Sequence, residues 1–346
     1  MILDKFIGVF SNDMAIDLGT ANTIVSVKGK GIIINEPSVV AVQRDKVGKD
    51  KILAVGQEAK RMLGKTPINI QAVRPMQDGV IADFEMTERM IRYFIEKAHS
   101  RKSFIRPRVI ICIPYGITQV ERKAVEESAL SAGAREVFLV EEPMAAAIGA
   151  GIPVSDPEGH VVVDIGGGTT EIGVTSLGGL VLCKSVKVGG DKIDRSIIEY
   201  VRQNYNLFIG ERTAETVKIE VGAAIKLDPE LKIQIKGKDH SGYLSTIELG
   251  SEGIRIAIKE PLKEIASAIR SVLENMPPDL AGDVVDNGII ITGGGALIRG
   301  LDKYLTEIVK IPVRIADEPL LSVAYGTSQV LDEPGLLKII EDMKNS

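Results

Sequence analysis

Tryptophan is absent, and phenylalanine and tyrosine bring the aromatic content to only 4%. Base-stacking platforms for single-stranded nucleic acid are therefore not expected. A formal net charge of −5 also argues against a protein that wraps nucleic acid. Two cysteines, Cys112 and Cys183, are too few for a disulfide scaffold or a zinc site. Both sit in apolar, strand-like runs, where buried, reduced thiols of a cytosolic protein are expected. The histidines, His99, His160 and His240, are scattered, so neither a His-based metal cluster nor a Ser-His-Asp triad is visible. No apolar run approaches the roughly 20 residues of a membrane-spanning helix. The amino terminus lacks the basic start and cleavage pattern of a secretory signal.

What is present is an ordinary folding composition, with 45% apolar and 26% charged residues. At 346 residues the chain is long for one core, and two lobes are expected. Strand and helix signals alternate. RVIICIP (108–114) and EVFLV (136–140) are continuous apolar runs that predict buried strands. Between them, Val120, Ala124, Val125, Ala129 and Ala132 recur at helical spacing before Gly133. DFEMTERMIRYFIEKAH (83–99) is amphipathic, and EEPMAAAIGAG opens a helix with a proline near its start. Further on, GGDKIDRSIIEYVRQNYN predicts a helix with Asp191 as N-cap. LKIQIKGKDHSGYLSTIEL alternates with period two, as a hairpin does. EGIRIAIKEPLKEIASAIRSVLENM predicts one long helix carrying Pro261.

Two phrases share an unusual chemistry. MAIDLGTANTIVSV (14–27) and VVVDIGGGTTEIGV (161–174) each leave an apolar strand on an aspartate and then shed side chains. Without a Cβ, glycine lets main-chain N–H groups approach a ligand, and successive N–H groups in a tight turn form an anion-binding concavity. Gly166, Gly167 and Gly168, with the hydroxyls of Thr169 and Thr170, suit phosphate oxygens; the corresponding segment is Gly19, Thr20, Ala21 and Asn22. Asp17 and Asp164 stand at strand exits, placed to hold waters of Mg2+, which takes oxygen ligands and keeps several waters. The plainer reading, in which each Asp caps a turn and each glycine run permits a hairpin, loses ground because the phrase occurs twice and TGGGALIRG (292–300) follows. GKT at 64–66 is not a P-loop: that motif needs glycine where Ala59 stands, and the triplet falls late in a helix pattern. No G-x-G-x-x-G follows a strand, which disfavours a Rossmann site.

DLGTANT, EEPMAAAIG, DIGGGTTE, ITGGGALIRG and DEPLLSVAYG occur in that order. Together they resemble the phosphate loops, connecting helices and adenosine loop of the actin / heat-shock chaperone / sugar kinase superfamily. The resemblance runs from about residue 12 to 332, and NEPSVVAV and RPMQDGVIADFE are similar to the bacterial actins within it. It implies an α/β, actin-like (ribonuclease H-like) duplicated fold, with two lobes around a nucleotide cleft. Lobe I would hold residues 1–147 and 318–346 with a small insert at about 33–75. Lobe II would hold 148–317 with an insert at about 186–248.

By the same resemblance ATP is the cofactor, with Mg2+, and Gly190 joins the two glycine hairpins in the nucleotide set. Glu215 and Lys218 match the pair at the ribose and base; Gly294, Gly295 and Ala296 match the loop over the adenine. Glu142 matches the acid that orients the attacking water, with Thr169 as helper, although helix-dipole complementation before Pro143 is an alternative use for Glu142. The implied activity is Mg-dependent ATP hydrolysis coupled to head-to-tail filaments, with the chain itself as partner. The implied setting is the cytoplasmic face of the cell membrane, with membrane proteins of the cell-elongation machinery as further partners and no nucleic acid. There it would organise cell-wall synthesis and set rod shape. A chaperone would continue into a peptide-binding domain, a sugar kinase would need another Asp base, and a scaffold without hydrolysis would not need the full acid and glycine set. Ile2, Leu3, Phe6, Ile7 and Phe10 form one stripe suited to a membrane interface, and Phe104 and Ile105 form an apolar pair in a basic loop. Packing of either segment on the protein is the competing expectation.

Overall fold

The computed structural model describes residues 12–43, 51–67, 69–77, 79–99, 105–333, 335–338 and 340. The chain divides into two compact units: Met1–Ser155 with Leu321–Ser346, and Asp156–Leu320.

In the first unit the main strands are β1 (Met14–Leu18), β2 (Asn22–Val27), β3 (Gly31–Pro37), β4 (Val40–Gln43), β5 (Lys51–Val55), β6 (Ile70–Val73), β7 (Met76–Gln77), β8 (Val80–Ile81), β9 (Arg108–Ile113) and β10 (Glu136–Glu141). The five-stranded sheet runs β10-β9-β1-β2-β3, and β5-β4-β6 form a separate small sheet. Strand β9 is fully buried from Val109 to Ile113, as a central parallel strand covered on both faces must be. The helix Phe84–Ala98 packs Met86, Met90, Ile91, Phe94, Ile95 and Ala98 inward, a stripe at helical spacing. Asp83 caps it by accepting from the Met86 amide at 3.0 Å. The helix Gln119–Ser131 starts with a reciprocal capping box between Thr118 and Glu121. It buries Val125 and Ala129, whereas Val120 is 74% exposed and does not join its apolar face. Gly64 follows the helix Gln57–Met62 in a left-handed conformation (φ +68°), so GKT trails a helix rather than opening one.

The second unit repeats the plan. Its strands are β11 (His160–Ile165), β12 (Thr170–Ser176), β13 (Gly179–Val186), β14 (Leu207–Phe208), β15 (Lys232–Asp239), β16 (Leu244–Gly250), β17 (Ile289–Thr292) and β18 (Val313–Ile315). The main sheet runs β13-β12-β11-β17-β18, and β14-β15-β16 form the small one. Read from the other end this is the order of the first unit: a parallel pair, the central strand, then an antiparallel meander. Cys112 is buried on β9, but Cys183 is only half-buried because β13 is a sheet edge.

Two helix expectations are corrected. The segment 251–274 is two helices, Ser251–Ala257 and Lys259–Glu274, joined at Ile258. Pro261 cannot donate to the Ala257 carbonyl and its ring crowds that carbonyl, so the helix restarts. Asp191 is not an N-cap: the helix Gly190–Tyr205 is capped by Gly189, and Asp191 lies in its first turn.

Candidate nucleotide site

The two glycine phrases fold into the same hairpin. Asp17 pairs with Ile24 and Leu18 with Thr23; Asp164 pairs with Glu171 and Ile165 with Thr170. Each acid therefore faces the residue seven positions on, and the same four-residue turn lies between the strands. A Cβ on Gly19 would stand 2.7 Å from the Asn22 carbonyl, and one on Gly166 3.3 Å from the Thr169 carbonyl. A side chain at the first position would force the first turn to shift, whereas in the second the Thr169 carbonyl would have to give by a few tenths of an ångström.

In the first unit, Thr20 is buried while Ala21 and Asn22 are exposed at the tip. Ser38, fully buried, clasps this turn: its hydroxyl donates to the Gly19 carbonyl at 2.6 Å and its amide to the Ala21 carbonyl at 3.0 Å. Asp17 is half-buried at the end of β1. Glu141 ends the neighbouring parallel ladder, and Glu142 opens the helix Glu142–Gly149. Glu142 is 9% exposed. Burial raises the Glu141 carboxyl above the usual range, while Arg122 at 3.2 Å works against the rise. The acids thus stand at the carboxyl ends of parallel strands, where ligands of α/β sheets bind.

The second unit gathers more of the expected residues around one strand exit. Asp164 is 7% exposed, and its Oδ1 accepts from the Thr292 hydroxyl at 2.8 Å. Burial pushes its carboxyl up, and the Thr292 bond pulls it down. Thr169 is buried, and its carbonyl receives the Gly166 amide at 2.9 Å. The amides of Gly190 and Asp191 donate to the carbonyls of Gly166 and Gly167 at 3.0 and 2.8 Å, so the next helix starts directly on the hairpin. A Cβ on Gly189 would lie 2.7 Å from both carbonyls. From the helix Glu211–Val221, Lys218 reaches the Gly190 carbonyl at 3.2 Å and Asp194 at 2.9 Å.

Gly294, Gly295 and Ala296 form a single 3-10 turn, Gly294–Leu297. Gly293 before it has φ +79°, and its absent Cβ would meet Ile165 O at 2.4 Å and Asp164 Oδ1 at 2.8 Å. Arg299 closes the other side by donating to the Ile219 carbonyl at 2.9 Å. Thr292 is thus bonded to Asp164, and the hairpin turn Gly166–Thr169 to Gly190 and through it to Lys218, all within the second unit; the turn Gly293–Ala296 follows directly after Thr292, and Glu215 sits one turn before Lys218.

Three residues beside the hairpins escaped the sequence reading: Ser38 in the first unit, and Thr292 and Asp194 in the second. The spacing of none of them signals a role; each matters through a partner brought in by the fold. Burial pushes the Asp194 carboxyl up to about 6; Lys218 opposes this, and Glu215 and Asp191 add to it. Among the described residues no group of three or more His, Cys, Asp or Glu side chains could hold a metal ion. The donor set does not cage a bare cation. It does fit hydrated Mg2+, which needs one or two carboxylates beside ligand phosphates. Of the expected membrane contacts, Ile2, Leu3, Phe6, Ile7, Phe10 and Phe104 lie outside the described residues, and Ile105 is half-buried. No helix among the described residues is long and apolar enough to cross a membrane.

Two sheets of matching order, each carrying the acid–glycine hairpin on its central strand, define an actin-like α/β protein. A profile of the MreB/Mbl protein family matches residues 11–339, and the chain belongs to that family. The cell shape-determining protein MreB of Escherichia coli (strain K12) is 55% identical over 335 residues, 96% of each chain. The cell shape-determining protein Mbl of Bacillus subtilis (strain 168) is 50% identical over 325 residues, 94% of this chain and 97% of its own. Among solved structures, MreB5 of Spiroplasma citri bound to AMPPNP is 39% identical, with a TM-score of 0.88 over 95% of this chain and 98% of its own. The MamK double helical filament, 22% identical with a TM-score of 0.78 over 93% of this chain and 99% of its own, shares the fold.

Proposed function

We propose that the chain is an ATP-hydrolysing, filament-forming cytoskeletal protein that works on the cytoplasmic face of the membrane, where it organises cell-wall synthesis and sets cell shape. The observation that carries the nucleotide reading is the repeated hairpin register, with Asp17 and Asp164 at equivalent positions. A relative solved with AMPPNP and again with ADP supports the ligand class. The names of the curated relatives support cell shape as the process.

In this reading the turn amides of Gly19–Asn22 and Gly166–Thr169 receive phosphate oxygens, as main-chain concavities do. Glu215 and Lys218 take the ribose and base region, and Gly294–Ala296 line the adenine. Asp17 and Asp164 would hold waters of Mg2+, which would supply neutralising charge to the phosphates. Glu142 orients a water for attack on the terminal phosphorus, with Thr169 beside it; the bond to the leaving ADP breaks and inorganic phosphate is released. The first ten residues and the Phe104–Ile105 pair supply membrane affinity.

ATP-dependent pelleting, with electron microscopy of the pellet and phosphate release from the same sample, tests the assembly and hydrolysis. Pelleting that is identical with and without ATP, and no phosphate release, would remove both. Co-sedimentation with anionic liposomes, repeated with residues 1–10 deleted and Phe104→Asp, tests the membrane role; undiminished binding of that variant rejects it.

A further inference from the structure

Asp194 is 8% exposed and lies on the same helix as Gly190, one turn further on. Its Oδ2 accepts from Lys218 at 2.9 Å, and the same ammonium donates to the Gly190 carbonyl at 3.2 Å. Its Oδ1 is buried without a hydrogen-bond partner among the described residues. The charged groups around it are Lys218 and Glu215 from the facing helix and Asp191 from its own. Lys218 is the one cation among them. Gly190 in turn donates to the hairpin at Gly166. A chain of bonds therefore leads from the helix bearing Glu215 and Lys218 to the phosphate turn, and Asp194 anchors its far end.

We propose that Asp194 is a positioning residue for nucleotide recognition: it holds Lys218 on the Gly190 carbonyl and so locks the helix Glu211–Val221 to the glycine hairpin. This rests on the nucleotide reading above. A ligand held at its phosphates by the hairpin and at its nucleoside by that helix needs the two at a set separation, and a loose Lys218 costs affinity through lost preorganisation. The lock requires the carboxylate. With its carboxyl pushed up to about 6, Asp194 takes a proton as pH falls through that value and Lys218 loses its counter-charge.

Mg-ATP affinity is to be measured by titration calorimetry on the full chain, wild type and Asp194→Asn, at about pH 7.5 and about pH 5. At the higher pH the variant is expected to bind about tenfold more weakly, the scale of one charge-assisted bond. At the lower pH the wild type is largely protonated at this site, and the gap should close to about twofold. Taking the ratio of the two proteins cancels the titration of the nucleotide itself. If Asp194→Asn does not fold, Asp194→Ser carries the test, with the same loss and the same closing of the gap, because it removes the carboxylate and leaves Lys218 in place. A ratio equal at both pH values, or full affinity in either folded variant, overturns the inference. Wild type that binds no Mg-ATP overturns the nucleotide reading with it; wild type that binds while the variants are unaffected overturns this inference alone.

Discussion

Gly326→Ala tests the packing of the first unit most sharply. Gly326 lies in the helix Ser322–Asp332, against the helix Glu142–Gly149 that begins with Glu142. A Cβ built on it would stand 1.8 Å from the Ala145 carbonyl oxygen and 2.8 Å from the Gly149 amide nitrogen. Gly149 mirrors this, with its Cβ position 1.8 Å from the Ser322 carbonyl oxygen. Ordinary Cβ contacts begin at 3.4 Å, so the shortfall is about 1.6 Å, and the obstacles are helix backbone that cannot rotate away. Overpacking of this kind costs about 1–3 kcal/mol, sometimes more, and a carbonyl this close puts the case at the upper end. Alanine gains about 1 kcal/mol over glycine in a helix interior, so a net loss of about 2 kcal/mol or more is expected. Gly282, in the helix Pro278–Asn287, is the counter-case: its Cβ position has nothing within 4 Å. Gly282→Ala should therefore keep the propensity gain and stabilise by about 0.5–1 kcal/mol. Urea denaturation reads both as opposite shifts of midpoint at unchanged slope. A Gly326→Ala protein as stable as wild type would refute the backbone contact between these helices.

Other predictions follow from the site. Glu142→Ala should keep nucleotide binding and lower single-turnover phosphate release about 100-fold or more, the scale of a lost water-orienting group; unchanged turnover removes Glu142 from the reaction. Thr292→Val should destabilise the second unit by about 1–3 kcal/mol, because the buried Asp164 carboxylate loses its hydroxyl donor without a change of side-chain shape; an unchanged denaturation midpoint would contradict it. Asp194 also links stability to pH. Its folded value, about 6, lies above the ordinary aspartate value of 3.8, so the folded state keeps a proton that the unfolded chain releases between them. The stabilisation is complete below about pH 4 and is lost as pH rises through about 6, a span worth on the order of 3 kcal/mol. Wild type should thus gain stability relative to Asp194→Asn on going from about pH 7 to about pH 4; a difference flat with pH would show that Asp194 is not buried in this way.

The hairpins were readable because their chemistry is contiguous. An acid, a glycine turn and a returning strand occupy fourteen consecutive residues in 161–174, and the hairpin they make is local. The amphipathic stripe from Met86 to Ala98 was readable for the same reason. The break at Ile258 was half-readable: Pro261 was visible, but whether a proline kinks or splits a helix depends on the packing that receives the ends. Asp191 misled because an Asp ahead of a helical pattern resembles a cap, while the first amides were already taken by the carbonyls of Gly166 and Gly167. Ser38 carried no sequence signal, since its partner turn is formed by residues far enough away that only the fold brings them together.

Sequence alone therefore determined most of the strands and helices, where the two acid–glycine turns lie, and that one plan occurs twice, because these follow from neighbours along the chain. Tertiary structure decided that Lys218 is bound to Asp194, that Thr292 supports Asp164, and that Gly149 and Gly326 let two helices touch backbone to backbone. Each of those pairs joins residues from separate elements, and no periodicity or propensity encodes which elements will meet.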